Sequence, residues 1–169
     1  MGGSLLQCPR KTSKRFPKTP SAPYATSCAM IAFDSSLIIP AFATWHAAHP
    51  RALRALQHAL ESKAGVVVPA HALVESFAVL TRLPAPHRMA PADVLTLLKN
   101  TFGSTRIVSL SSRSVWPLLE RLTGLGLGGG ITYDALILET AIDAGAEELL
   151  TLNARDYDRL EPRLRVVGV

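Results

Sequence analysis

The body of this chain lacks cysteine and long apolar runs. Both cysteines, Cys8 and Cys28, lie in the first 29 residues, so the body has no thiol for a disulfide or a thiolate zinc site. This pattern fits a reducing compartment, and we expect a cytoplasmic protein. The longest uncharged body segment, residues 35–50, contains Pro40 and is shorter than the ~20 apolar residues of a membrane span. We therefore expect no membrane association.

The body also lacks an excess of charge. Residues 30–169 contain 13 basic and 13 acidic residues, whereas residues 1–29 contain five basic residues and no acidic one. The net charge of +5 therefore belongs to the N-terminal segment. Bulk non-specific binding to duplex DNA depends on neutralising phosphates, so a neutral body argues against it.

Residues 1–29 are predicted to form a disordered basic tail. The segment contains four prolines and no apolar periodicity, so it cannot bury enough surface to offset the entropy of ordering. It also lacks the apolar core of a secretory signal. A nucleic-acid-binding arm and a transit peptide are alternatives, and a third is that Met30 is the true start. We place the folded domain at residues 30–169.

Apolar, β-branched runs alternate with amphipathic segments along the body. Strands are predicted at residues 30–33, 65–69, 106–110, 148–152 and 165–169, and helices at 35–44, 50–62, 70–82, 91–101, 112–122 and 132–144. This alternation predicts an α/β protein of three layers, with a central parallel sheet of four to five strands flanked by helices. In such folds, ligands bind at the carboxyl ends of the strands.

Acidic residues are predicted to converge at that edge of the sheet. Asp34 follows the first strand, and Glu75 lies within the first two turns of the helix after the second strand. Asp134 begins the helix before the fourth strand, and Asn153 and Asp156 follow that strand. Crowded carboxylates repel one another unless a cation binds, and oxygen ligands suit Mg²⁺ or Mn²⁺. The pattern therefore favours metal-assisted phosphodiester hydrolysis.

Each of these residues also has a structural explanation. Asp34 and Asp134 suit helix N-termini, and Asn153 with Asp156 resembles a capping box. Glu75 lies on an apolar helix surface and needs a partner, for which His71 one turn earlier is a candidate.

Four segments carry a family resemblance. They are MIAFDSS (30–36), PAHALVESFAVLTRLP (69–84) with HRMAP (87–91), GGGITYDALILETAIDAGA (128–146) and LLTLNARDYDRL (149–160). In this order and spacing, the sequence resembles the PIN-domain ribonucleases and, among them, the VapC-type toxins of toxin–antitoxin pairs. The resemblance implies a metal-dependent endonuclease of single-stranded RNA. It also implies a small antitoxin partner and a homodimer, or a heterotetramer with the antitoxin.

The resemblance assigns roles by position. Asp34, Glu75, Asp134 and Asp156 fill the acidic cluster, with Asn153 beside it. Asp34 and Asp134 would hold the main Mg²⁺, and the other two acids would complete the cluster or hold a second ion and orient water. Ser36 and Thr151 match small hydroxyl positions that line such sites. The basic tail departs from the family pattern, as does Tyr157, where many relatives have Phe; we expect that change to be harmless.

Two other functions remain open. A non-catalytic PIN relative that binds RNA or protein would have lost one or more acids, and none is missing here. A phospho-accepting receiver domain also has an acidic Mg²⁺ pocket, but Lys63 and Lys99 are misplaced for its late-strand lysine. For an antitoxin contact, Leu37, Ile38, Phe42 and Trp45 offer more apolar surface than one core face needs. They either face that partner or pack within the chain or a homodimer.

Overall fold

The computed structural model describes residues 30–169, and the expectations for residues 1–29 lie outside them. The strands of this part are β1 (Ile31–Phe33), β2 (Val66–Pro69), β3 (Arg106–Val108), β4 (Glu148–Thr151) and β5 (Arg165–Gly168). The helices are α1 (Ser35–Phe42), α2 (His49–Glu61), α3 (Ala70–Arg82), α4 (Pro91–Phe102), α5 (Ser112–Gly124), α6 (Ile131–Asp143) and α7 (Ala154–Asp158).

The five strands form one parallel sheet in the order β3-β2-β1-β4-β5. The chain builds outward from β1 to β3 and then crosses back to place β4 on the other side of β1. The strand order therefore reverses between β1 and β4, where Phe33 is in register with Leu150. In open α/β sheets this switch point is the usual ligand site.

The central strands are covered on both faces. All residues of β1 and β4 are buried, and neighbouring strand residues point to opposite faces, so helices pack on each side of the sheet. The predicted α/β class with a parallel sheet of up to five strands is confirmed. Among the described residues, no helix has both the length and the apolar character needed to cross a bilayer.

The structure corrects several predicted boundaries. The first helix ends at Phe42 rather than at residue 44, and the third strand ends at Val108 rather than at residue 110. The structure also contains α7, a five-residue helix after Asn153 that was not predicted from the sequence. One turn is too short to give a helical hydrophobic period, so only the Asn153–Asp156 spacing pointed to it.

The apolar residues of α1 pack mostly within the chain. Leu37 and Ile38 are fully buried in the core, so of the two alternatives left open by the sequence, these residues pack within the chain and do not face an antitoxin. Phe42 packs edge-on against Phe102 of α4, with ring centroids 6.3 Å apart. Trp45 is the exposed member of the set, and its ring lies 4.2 Å from that of His87.

Candidate active site

Asp34 lies directly after β1 at the switch point. Its side chain is only 1% exposed, and its backbone N–H donates to the Leu150 carbonyl of β4 at 3.0 Å. The position follows from the sequence, because the apolar strand Ile31–Phe33 is drawn into the core and brings the next residue to the sheet's carboxyl edge. A carboxylate buried to this extent needs polar partners.

Two hydroxyls supply those partners. The Ser36 and Thr151 hydroxyls donate to Asp34 Oδ2 at 2.5 and 2.6 Å, and they lie 2.9 Å from each other. Each hydroxyl also accepts a backbone N–H, from Leu152 at 3.1 Å and Asn153 at 3.0 Å respectively. These bonds join the ends of β1 and β4 and fix the Asp34 carboxylate in one orientation. The lining role predicted for Ser36 and Thr151 fits this geometry.

The capping explanations are wrong at two of these positions. Asp34 is the N-cap residue of α1, yet its side chain makes no capping hydrogen bond. Asn153 is the N-cap residue of α7 and also makes no side-chain cap, so no capping box forms with Asp156. The carboxylates of Asp34 and Asp156 are therefore available for a role other than helix termination.

The pKa of the Asp134 carboxyl is raised by burial and by the charges of three other acids. Burial raises this pKa from an ordinary value of 3.8 to about 6, and neighbouring charges add to the rise. In order of effect, these charges belong to Asp34, Asp156 and Glu75. The four predicted acids, which we call the acidic edge (Asp34, Glu75, Asp134 and Asp156), thus lie within electrostatic reach of one another.

Other acids with restricted exposure are neutralised by arginine. Glu148, at the opposite end of β4, pairs with Arg165, and Glu139 of α6 pairs with Arg121 at 3.1 Å and Arg163 at 2.6 Å. These are the ion pairs found within residues 30–169, and none of them includes a member of the acidic edge. Of the five acids within residues 30–169 that are not exposed, the three without an arginine partner therefore all belong to the acidic edge: Asp34, Glu75 and Asp134.

The acidic edge suits a hard cation in charge and in donor type. Its ligands are all oxygens, and Mg²⁺ commonly binds through one or two carboxylates while keeping several waters. Within residues 30–169, however, no three His, Cys, Asp or Glu side chains are close enough to share one ion. The described residues therefore form no closed cage of three or more such ligands, and the assignment of Asp34 and Asp134 as cation ligands stays a prediction.

Tyr157 of α7 introduces a polar group into this site, an effect that was not predicted from the sequence. The side chain is fully buried, and its hydroxyl has no hydrogen-bond partner among the described residues. Burial raises the pKa of this phenol, and the charges of Asp34, Asp134 and Glu75 raise it further. Asp34 is also close enough to act as an acceptor, although the geometry falls short of a formed bond. A Phe ring would fill this place without the unpaired hydroxyl.

His71 does not pair with Glu75 as the sequence suggested. Its ring stacks instead on Tyr133 of α6, with centroids 5.1 Å apart and planes inclined by 7°. Glu75 is half-buried on α3, and its charge contributes to the raised pKa of Asp134. The helices that carry these two acids are thus joined by an aromatic contact beside the acidic edge.

Family comparison agrees with this geometry. Residues 31–161 match the family model described as PIN domain. The chain therefore belongs to the PIN-domain family. It is 44% identical over 137 residues to Ribonuclease VapC40 of Mycobacterium tuberculosis, covering 81% of this chain and 96% of that relative. Ribonuclease VapC27 of the same species is 37% identical over 131 residues, covering 78% and 90%.

Solved structures share the fold at low sequence identity. VapBC-1 from nontypeable Haemophilus influenzae superposes with a TM-score of 0.61 at 13% identity, covering 82% of this chain and 97% of that one. Mycobacterium tuberculosis VapC20 gives 0.55 at 17% identity, covering 70% and 86%. These likenesses establish a PIN-type, VapC-like fold.

The raised pKa of Asp134 predicts a pH-dependent stability. Its folded-state pKa lies above the unfolded value, so ionised Asp134 opposes folding above pH 6, and this cost disappears as the pH falls towards 3.8. Without divalent cations, Asp134→Asn should therefore be more stable than the wild type at about pH 7.5, and the difference should shrink at about pH 5. Urea unfolding at both pH values measures it. An equal difference at both would contradict the electrostatic origin.

The unpaired hydroxyl of Tyr157 predicts a stabilising substitution. Tyr157→Phe should raise the free energy of unfolding by about 1–3 kcal/mol, the usual cost of an unsatisfied buried polar group. The matched control is Tyr133→Phe, which removes the hydroxyl of an exposed tyrosine and should change stability by less than about 0.5 kcal/mol. Thermal and urea unfolding of the cation-free protein provide the measurement. A destabilised Tyr157→Phe would indicate that the hydroxyl has a partner.

Proposed function

We propose that this protein is an endoribonuclease toxin of the VapC type and that the acidic edge is its active site. The proposal is supported by the contrast among the acids that are not exposed. Arginines neutralise Glu139 and Glu148, whereas Asp34, Glu75 and Asp134 have no cationic partner within residues 30–169, and the charge of the exposed Asp156 adds to theirs. Repulsion between these carboxylates lowers the stability of the fold. A function in binding a cation or substrate explains why the protein retains them.

The proposed roles follow from burial and position. Asp34, held by Ser36 and Thr151, would be the fixed ligand of a divalent cation, and Asp134 would be the second. Glu75 and the exposed Asp156 would complete the set through bound waters or hold a second ion, and would orient the attacking water and accept its proton. Mg²⁺ or Mn²⁺ would offset the repulsion between the carboxylates and the RNA phosphate and promote ionisation of water. The Ser36–Thr151 pair keeps Asp34 from rotating away.

A small antitoxin is the proposed partner. VapBC-1 from Haemophilus influenzae has the same fold, and its name identifies a VapB–VapC complex. We propose that the partner inserts an Arg or Lys into the acidic edge, where it would pair with the carboxylates in place of the cation. Because Leu37 and Ile38 are buried, apolar contact would use side chains that remain exposed, such as Trp45. The complex would form in the cytoplasm as a dimer of toxins or a heterotetramer with antitoxin.

The catalytic assignment predicts that neutral isosteres at the acidic edge abolish cleavage. Asp34→Asn and Asp134→Asn should each lower cleavage of single-stranded RNA more than about 100-fold, since loss of a supporting partner alone costs 10–100-fold. Glu120→Gln, an exposed acid on α5, is the matched control and should cleave normally. Rates are measured at saturating Mg²⁺ and Mn²⁺. Wild-type activity in both aspartate variants would remove the active site from this edge.

The partner proposal predicts co-purification and inhibition. Co-expression with a small protein from the adjacent reading frame should give a stable complex without nuclease activity, and excess Mg²⁺ should restore activity only in part. Replacing the inserted basic residue of the antitoxin by Ala should restore cleavage while the complex persists. If no small protein co-purifies and induction of the toxin alone does not slow growth, the toxin assignment fails even though the fold stands.

A further inference from the structure

The stacked pair Tyr133–His71 joins the two helices that carry Asp134 and Glu75 of the acidic edge. Tyr133 precedes Asp134 in α6, and His71 lies one helical turn before Glu75 in α3. Their rings are nearly parallel, and Tyr133 is 54% exposed despite the stack. Of the eight Phe, Trp and Tyr side chains within residues 30–169, three are exposed, and among these Tyr133 is the one that directly precedes a member of the acidic edge in the sequence.

We propose that the stack is a nucleobase platform that holds an unpaired base of the RNA substrate beside the scissile phosphate. This inference rests on the proposed ribonuclease function and names a contact that it requires. An acidic edge repels phosphates, so a polyanion needs attraction of another kind near it. Base stacking on an aromatic face supplies this, because a neutral base approaches carboxylates without a charge penalty.

The geometry fits one base on Tyr133. His71 backs one face of the phenol ring and fixes its orientation, so little conformational entropy remains to be lost on binding. Because Tyr133 and Asp134 are adjacent in the chain, a base on the other ring face belongs to a nucleotide at or next to the cleaved bond. Stacking tolerates all bases but is unavailable to a paired one, so the platform would also select single-stranded RNA.

The alternative is that the stack only ties α3 to α6 and thereby positions Glu75 and Asp134. Measurements of RNA affinity and of the cleavage rate distinguish a nucleobase platform from a contact that only ties the helices together. A platform acts on RNA affinity, whereas a tie between helices acts on stability and kcat. Tyr133→Phe keeps the ring in either case and should behave as wild type.

The test measures equilibrium binding of single-stranded RNA that carries 2-aminopurine at successive positions, whose fluorescence is quenched by stacking. All proteins carry Asp34→Asn to prevent cleavage. Tyr133→Leu should weaken binding roughly 5- to 150-fold, as expected for the loss of one stacked base, and should abolish quenching at one position. His71→Ala should give a smaller loss, and it remains informative if Tyr133→Leu is unstable.

Two controls define the outcome. Trp116→Leu removes a ring that is 72% exposed on α5. Trp116 is close in sequence to Ser114, whose hydroxyl donates to Asp143 at 2.7 Å. Asp143 lies roughly 15 Å along α6 from Tyr133, so the Trp116→Leu variant should bind RNA normally. An RNA with an abasic site at the quenched position should lose affinity for the parent protein but not for Tyr133→Leu.

Unchanged affinity in Tyr133→Leu, or equal abasic losses in both proteins, would overturn the platform. Absence of RNA binding by the Asp34→Asn parent would overturn it as well. Failure of the wild type to cleave RNA, with Tyr133-dependent stacking intact, would instead overturn the proposed catalysis and support the platform.

Discussion

The buried carboxylate of Asp34 is the constraint on which the site depends. A charge that is 1% exposed persists because two hydroxyls donate to one of its oxygens, and those hydroxyls are themselves held by backbone N–H groups after β4. The network spans the reversal in strand order, so it forms only when β1 and β4 pair in the correct register. Folding of the sheet and assembly of the site are therefore a single event.

The acids that are not exposed within residues 30–169 fall into two groups. Glu139 and Glu148 have guanidinium partners, which places them in the structural scaffold. The acidic edge retains its mutual repulsion, and Tyr157 places an unsatisfied hydroxyl beside it. Both features reduce the stability of the fold at one place. Local destabilisation of this kind is common where a protein is organised around a ligand that compensates it.

Much of this arrangement could be predicted from sequence, because strand ends are easy to locate and parallel topology brings them to one edge. That rule places Asp34 and Asp134 at this edge from the sequence alone. The stacking of His71 on Tyr133 could not be predicted, because it joins two helices whose relative rotation depends on packing. The sequence left open whether Leu37 and Ile38 pack within the chain, because this depends on how many neighbouring elements cover α1.

The electrical neutrality of residues 30–169 has a consequence for how such a protein moves through a cell crowded with RNA. Proteins that neutralise many phosphates release counterions and adhere to any nucleic acid they meet. A body with equal numbers of positive and negative groups gains little from that effect. Charge alone therefore gives residues 30–169 little attraction to RNA in general, and contact through this part of the chain depends on short-range fit, whereas the net positive charge is carried by residues 1–29.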